Sequence, residues 1–389
     1  MKPIRWFSLI SLVVCIALPP GIAFAAPASS SPPAATYHFE WTDGSSLSGE
    51  AIIKNGISYV GVDAIAEAMV FSRVIWSNEH RVKFDGFRTS FTITIGKDIG
   101  AINDVPVSVG GIPFKKDNQI FVPAKFVFKA LRGTKLSCDP KQHIVAATGL
   151  RKDAGARMYY SRLTFKVDYE TGILTIMDNL EEIERKLADL GSPLHGIVTY
   201  NFHRTEGGLL LLKITDNYGE PHVNYQEFQV VIKNRGLIRQ SRAQYYNRYA
   251  NNASFYDKTI VLTDGRQLRL IEDGTGNVLE KIDLVKLGGE DDNYFVEAID
   301  DEFLLLRANK SGMLKLYDRR TKEIVLLYKQ LLDPSLFEIV ENYTQPMIGA
   351  GDYLVFDKRE GNTLIFRNDA PYLSEKERGV QYRYELAKP

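Results

Sequence analysis

The sequence predicts an α+β N-terminal domain with an internal duplication of a strand-helix-strand unit, followed by a mostly-β domain. Three observations carry that prediction. The stretch from Lys54 to Val82 repeats at an offset of 62 residues. From about Leu150 onward, short apolar runs are bounded by Gly, Asp and Asn turns, as strands are. Two weaker repeats, at offsets of 46 and 50, run through the second half, and units of that length and content suggest β-propeller-like blades, with a β-sandwich as the alternative.

The chain opens with Lys2 and Arg5, an apolar run from Trp6 to Leu18, then Pro19-Pro20-Gly21 and Ala23-Phe24-Ala25. These are the three parts of a secretory signal peptide, and the run is shorter than the roughly 20 residues of a spanning helix. Cleavage is expected after Ala25. A lipoprotein signal at Leu12-Val13-Val14-Cys15 competes poorly, because Val14 stands where a small residue is wanted and Cys15 lies inside the apolar run. Removing residues 1–25 from the 389 leaves a mature chain of 364 residues, enough for two or three domains. The expected organisation is 1–25 signal peptide, 26–35 flexible linker rich in Ala, Ser and Pro, 36–149 duplicated domain, 150–192 connector with a helix, and 193–389 β-rich repeat domain.

Composition narrows the function classes. The 48 basic residues balance 48 acidic ones, and losing Lys2 and Arg5 leaves the mature chain two charges negative. A nucleic-acid partner would want a basic surface. Of two cysteines, Cys15 leaves with the signal peptide. Cys138 alone can form neither an internal disulfide nor a cysteine-based zinc site, and it reads as a small buried hydrophobe.

Within the duplicated region each copy opens on a turn, Asn55-Gly56 in the first and Asp117-Asn118 in the second. Such pairs suit primed turns, whose central residues need positive φ. A short strand follows, then a helix with Val62, Ile65, Ala66 and Met69 on one face, matched by Phe126, Val127, Ala130 and Leu131. A closing strand ends each unit. At the same offset Cys138 falls on Trp76, so both are expected to point inward. Between the copies, Phe91, Ile93 and Ile95 alternate with polar residues as a half-buried strand does, and Ile99 to Val109 reads as a hairpin around Asn103-Asp104.

The phrases "NGISYVGVDAIAEAM" with "VIWSNEHRVKF", and "KDNQIFVPAKFVFKAL" with "LSCDPKQHIV", carry a resemblance. Through Phe121-Val122-Pro123, Ala130-Leu131 and Trp76-Ser77 this region, residues 50 to 148, resembles the copper-amine-oxidase-like N-terminal domain of exported Gram-positive proteins. Asp63 and Lys125 stand where that family commonly has arginine, and Cys138 replaces a second Trp. The resemblance implies a module of the cell envelope and no copper chemistry, which belongs to a separate catalytic domain. That catalytic domain needs an Asn-Tyr-Asp/Glu tyrosine and a His-x-His pair. Here Asn217-Tyr218, Asn224-Tyr225, Asn293-Tyr294 and Asn342-Tyr343 are each followed by a non-acid, and no His-x-His occurs. Amine oxidation is excluded on these residues.

In the second half the clearest predicted helix spans Leu180 to Leu190, with Leu180, Ile183, Leu187 and Leu190 on one face and Asp178 as its N-cap. Leu268 to Gly276 then falls on Leu314 to Lys322, and Phe303 to Leu306 on Tyr353 to Phe356. About four strand-turn-strand units are expected between His195 and Tyr384.

No catalytic, metal or cofactor constellation emerges. His38, His80, His143, His195, His203 and His222 show no i, i+2 or i, i+4 pair, and only His203 with His222 could converge across strands. Gly274-Thr275-Gly276 lacks the third glycine of a dinucleotide loop. Glu290-Asp291-Asp292 lacks the alternating ligands of a calcium loop. The segment Arg239 to Tyr256 stands out because Arg and Tyr together favour recognition surfaces. Arg242, Tyr245, Tyr246, Arg248 and Tyr249 are therefore the candidate binding residues, against the plainer reading of tyrosines at a sheet edge.

The expected function is an exported, non-catalytic binding or scaffold protein, secreted or cell-wall associated. Its expected partner is cell-wall glycan or another envelope protein, with no nucleic acid, no cofactor and no membrane span after cleavage. The alternative is a glycan-active enzyme drawing carboxylates from distant strands, such as Glu206, Asp216 and Glu227, since glycosidases need only two at a set separation. A sensory ectodomain is a third reading, disfavoured because no anchor survives cleavage.

Overall fold

A computed structural model describes residues 34–387, apart from 43, 69–70, 76–79, 249, 343–350 and 372. The stretch read as a signal peptide with its expected cleavage site, most of the stretch read as a linker, Trp76 and Tyr249 lie outside the described residues. The protein is mostly β, in several small, mainly antiparallel sheets with few short helices. No helix among the described residues is long and apolar enough to cross a membrane.

Residues 35–150 build two sheets around one core. The larger has seven strands in the order 135–139, 144–150, 35–41, 46–54, 57–61, 119–123 and 114–116. The smaller is a five-stranded meander from Ser72 to Val107. Strand Ala35–Trp41 alternates strictly, burying Ala35, Tyr37, Phe39 and Trp41, the period-2 signature of a strand with one face on a core. It pairs in parallel with Ile144–Leu150, Tyr37 opposite Val145. Ala35 thus belongs to a strand, one residue inside the stretch read as linker.

The 62-residue spacing recurs element by element. Strand Ile57–Gly61 and helix α1 (Val62–Ala68) correspond to strand Gln119–Pro123 and helix α2 (Ala124–Ala130). The two strands pair antiparallel, Val60 opposite Val122. Asn55 and Gly56 sit at φ 51° and 75°, Asp117 and Asn118 at 47° and 64°, the left-handed pairs a primed hairpin turn demands. Val62, Ile65 and Ala66 of α1 and Phe126, Val127 and Ala130 of α2 enter the same core. Asp63 has a local reason to be acidic: its Oδ2 accepts from the Ile120 backbone N–H at 3.0 Å, tying α1 to the other copy's strand. Cys138 corrects the expectation, since it is exposed. It lies on Lys135–Asp139, the edge strand of the seven-stranded sheet, and its neighbour there, Ser137, is also exposed.

Beyond residue 150 five antiparallel sheets follow in chain order. Four have four strands, covering 155–189, 197–246, 255–283 and 294–326, and the fifth has three, covering 354–385. They are called the first to fifth sheets below. Consecutive sheets share cores. Phe165 and Ile176 of the first meet Leu212, Ile214 and Phe228 of the second. Leu209, Leu211 and Val231 of the second meet Ile260, Leu262 and Ile271 of the third. Val261 and Leu270 of the third meet Leu304 and Leu306 of the fourth, whose Leu305 and Leu316 meet Leu354 and Phe366 of the fifth. Alternate side chains leave opposite faces of a strand, so a strand covered on both faces must be apolar throughout. That is why Leu209-Leu210-Leu211-Leu212 and Phe303-Leu304-Leu305-Leu306 are unbroken runs.

Two expectations fail in 150–192. This stretch is the first sheet, not a connector with a helix, and Glu184–Asp189 is its last strand, Thr175 opposite Lys186. Asp178 ends the preceding strand, and its Oδ1 accepts from the Leu180 N–H at 3.1 Å. Glu182 then takes φ 54°, a left-handed backbone that closes a hairpin and stops a right-handed helix. Leu180 and Ile183 are 77% and 68% exposed at that tip, while Leu187 and Leu190 are buried. The helical spacing of these four residues was coincidental.

The duplicated module meets the first sheet through the turn 86–89. Arg88 pairs with Asp168, donating from Nε to Oδ2 at 2.5 Å and from Nη2 to Oδ1, and reaches Glu170 Oε2 from Nη1 at 2.5 Å. The Arg88 and Thr89 backbone N–H groups donate to Asp153 at 2.7 and 3.1 Å. Arg157 returns the contact, donating to the Gly86 carbonyl at 3.0 Å and lying over the Phe87 ring.

Candidate functional site

The Arg and Tyr segment splits according to strand parity. Strand Gly236–Tyr246 buries Ser241, Ala243 and Tyr245 and turns Arg242, Gln244 and Tyr246 outward. Tyr245 is 1% exposed and is a core residue, which corrects its reading as a binding residue. Its ring stacks on Phe295 at 3.6 Å between centroids. Its Oη accepts from Asn252 Nδ2 at 3.1 Å and donates to the Tyr294 carbonyl at 3.1 Å. Burial pushes this phenol far above its ordinary range.

The remaining candidates do not converge. Tyr246 is 61% exposed, beside a hollow of about 360 Å³ shared with Arg266 and Asp291. Arg242 donates to the Gly191 carbonyl at 3.1 Å and borders a separate hollow of about 270 Å³ with Gln240 and Arg269. Arg248 is 6% exposed and lines the largest of the three, about 470 Å³. Among the described residues of the segment, Tyr246, Arg242 and Arg248 each open on a different hollow.

The cavity at Arg248 draws on three parts of the chain: the stretch after the second sheet, Glu297 and Arg307 of the fourth sheet, and Tyr353 to Phe356 at the start of the fifth. Arg307 anchors it. Its guanidinium pairs with both oxygens of Glu297, donates from Nη1 to Asp352 Oδ1 and the Gly312 carbonyl at 2.8 Å each, and from Nη2 to the Leu354 carbonyl. All five N–H donors of a guanidinium are engaged. Burial opposes the charge, but Glu297 and Asp352 outweigh it and raise the group above its ordinary range. Asp352, fully buried, also accepts from the Leu314 N–H at 2.6 Å, binding fourth sheet to fifth.

Arg248 is held differently. Its Nε donates to the Asn309 carbonyl at 3.0 Å. Burial first, and the nearby Arg307 cation second, lower its guanidinium to about 10. Sequence reading picked Arg248 but missed Arg307, Glu297 and Tyr353. A signal for Arg307 existed: it is the one charge in the strand Phe303–Ala308, where all six residues are buried. A charge inside such a run must be paired.

The three carboxylates considered for glycan hydrolysis do not form a pair. Thr215 lies opposite Glu227 and Asp216 opposite Gln226, so the Asp216 and Glu227 side chains leave opposite faces of the second sheet. Asp216 accepts from His195 N, Gly196 N and Gln226 Nε2, each at 2.8 Å, and Glu227 pairs with Lys213 at 2.9 Å. Glu206 sits in the hairpin at the far end of the same strands, by a hollow it shares with His203. The His203 ring packs against Phe255, tilted by 43° with 4.2 Å between centroids, and no group of three or more His, Cys, Asp and Glu among the described residues could hold a metal ion. The Gly274-Thr275-Gly276 stretch is a turn between paired strands, both glycines at positive φ.

Residues 41–146 match the family described as the copper amine oxidase N-terminal domain. A comparison with curated proteins returned no match. Among solved structures the chain is similar to the dihydro-heme d1 dehydrogenase NirN in complex with DHE, at 10% identity over 65% of this chain and 56% of that one, TM-score 0.24. It is similar to apo AztD from Citrobacter koseri, at 10% identity over 77% and 80%, TM-score 0.25. It is also similar to Sqt1 from Saccharomyces cerevisiae, at 10% identity over 79% and 93%, TM-score 0.22. The chain spans a little over half the length of the first of these. Likenesses this distant carry no argument about fold or function.

Proposed function

We propose, for a chain whose first module is a copper-amine-oxidase-like N-terminal domain, that it acts as an exported, non-catalytic binding or scaffold protein, secreted or cell-wall associated. In this reading the five sheets are blades of a propeller-like array, and the array holds its ligand at the cavity beside Arg248. The partner is cell-wall glycan or another envelope protein. The observation that carries the reading is a buried cation on the wall of a cavity of about 470 Å³, within the roughly 300–1,000 Å³ common for ligand sites. Nearby aromatic side chains, Tyr353 and Phe356, offer flat apolar faces to a sugar ring or a peptide side chain.

The module's role in this proposal is attachment and support. The Arg88, Asp153 and Asp168 contacts join it to the first sheet, so binding by the module would fix the direction in which the array faces. The test is a pull-down of the exported protein with purified cell-wall sacculi and with an envelope-protein extract, beside Tyr246→Ala and Arg248→Met. Saturable retention on either material that Arg248→Met abolishes and Tyr246→Ala leaves intact supports the reading. Absence of retention on both materials removes it.

A further inference from the structure

We propose that the hollow between Arg242 and Arg269, apart from the cavity at Arg248, is a receptor for a phosphate group. The site goes beyond the binding-protein reading and does not depend on what the larger cavity holds. Three features of the hollow converge on this ligand class.

The first is an unused donor. Arg269 is half-buried in the strand Gln267–Glu272 of the third sheet and reaches the second, donating from Nη2 to the Gln240 carbonyl at 3.0 Å. Its Nε–H is buried and meets no acceptor among the described residues. A buried donor in that state is destabilising and rare in folded proteins. The second is unbalanced charge. Lys281 stands directly opposite Arg269 on the strand Val278–Asp283, so two cations share one face. Like charges in that relation destabilise a sheet. Arg242 brings a third cation, and its Nε, Nη1 and Nη2 donate to Gln226 Oε1 at 3.3 Å, the Gly191 carbonyl at 3.1 Å and Gln244 Oε1 at 3.3 Å. All of those acceptors are neutral, and none of the three cations has an ion pair among the described residues.

Two carboxylates lie close, and they do not cancel this charge. Asp264, on the wall of the hollow, turns Oδ1 to the Arg266 and Gln267 backbone N–H groups at 2.9 and 2.7 Å. Asp189, whose carbonyl accepts from Gln240 Nε2, is paired with Lys186 at 3.1 Å. Three cations against Asp264 leave an excess of two positive charges. The third feature is the match of shape and charge. A carboxylate offers two oxygens in one plane, which a single guanidinium fork satisfies. A phosphate offers tetrahedrally placed oxygens and up to two negative charges, so it can accept from guanidinium groups of two different sheets at once and meets the whole excess. At about 270 Å³ the hollow is just below the range of roughly 300–1,000 Å³ common for ligand sites, which suits a phosphate alone or on a small organic body.

The experiment is calorimetric titration of the full exported protein with inorganic phosphate, glycerol phosphate, acetate and glycerol. At least one of the two phosphates is expected to saturate, binding at least about tenfold tighter than acetate and glycerol. The two phosphate arms tell a free ion from a phosphate carried on an organic body. Arg269→Met is expected to lose that binding at least about tenfold. Lys281→Glu, at an exposed position, sets an acid across from Arg269 and gives it a partner within the chain. This variant is expected to keep or raise the urea midpoint and to weaken phosphate at least about tenfold, and it covers the case in which Arg269→Met does not fold. No saturation by either phosphate, acetate or glycerol binding as tightly as phosphate, retained binding in either folded variant, or a lowered midpoint in Lys281→Glu overturns the proposal.

Discussion

Adjacent tyrosines in one strand should respond oppositely to truncation. Tyr245→Ala empties the slot between Phe295 and Tyr225, whose rings lie 3.6 and 6.1 Å from its own. It also strips hydrogen bonds from the Tyr294 carbonyl and Asn252 Nδ2. Deleting a buried aromatic ring costs about 3–5 kcal/mol. Tyr245→Phe keeps the ring and isolates the hydroxyl, about 1–3 kcal/mol for the two groups left without it. Tyr246→Ala, at an exposed position, should stay within about 0.5 kcal/mol. Urea unfolding followed by near-UV circular dichroism reads all three. With a slope of about 3 kcal/mol per molar urea, Tyr245→Ala should lower the midpoint by roughly 1–1.7 M, Tyr245→Phe by less than about 1 M, and Tyr246→Ala hardly at all. If Tyr246→Ala lowers the midpoint as far as Tyr245→Ala, the assignment of inward and outward faces on this strand is wrong.

Other predictions concern the module junction, the edge cysteine and a buried carboxylate. Arg88→Met should destabilise the junction by about 2–4 kcal/mol at neutral pH, its pairs being partly buried, and should expose the chain near residue 152 to limited proteolysis. Burial raises the Asp168 carboxyl, but bonds from Arg88 and the Thr171 N–H outweigh it and leave the group lowered. Stability from a lowered acid is present above its unfolded value and lost as pH falls through the folded one. The difference between wild type and Arg88→Met should therefore shrink below about pH 4, and a difference constant from pH 7 to 3 would count against the pairing. Cys138, exposed on its edge strand, should react with a thiol reagent in the native protein without denaturant; protection until denaturant is added would contradict its exposure. Asp216→Asn should cost about 1–3 kcal/mol, since an amide cannot accept all three bonds now made to the carboxylate, and an unchanged unfolding midpoint would refute that role.

What was legible in the sequence was local or periodic. The duplication was readable because turn chemistry and apolar spacing repeat together, from Asn55-Gly56 into α1 and from Asp117-Asn118 into α2. The strands of the second half announced themselves through runs such as Leu209 to Leu212. The helix over 180–190 failed because two residues of its apolar stripe, Leu180 and Ile183, lie at an exposed hairpin tip, where spacing carries no information about burial. Tyr245 and Tyr246 were grouped by composition although Ser241, Ala243 and Tyr245 already alternated with Arg242, Gln244 and Tyr246, so the signal was present and outweighed. The cavity was beyond reach: Arg248, Arg307 and Tyr353 are brought together by the packing of separate sheets, and nothing in their spacing records it.

The parallel pairing of Ala35–Trp41 with Ile144–Leu150 has a bearing on how the polypeptide acquires its shape as it is made. The earlier strand emerges more than a hundred residues ahead of the one that covers its edge, and throughout that interval its inward aromatics and open backbone edge are available to other chains. Contacts so distant in sequence form slowly, because the intervening segment must be ordered before they are rewarded. The later sheets face no such wait, since each is a local meander that docks on its predecessor as soon as it is complete. Folding is thus expected to be lopsided in time, with the duplicated module as the slow step and the part of the protein most in need of a chaperone on the way.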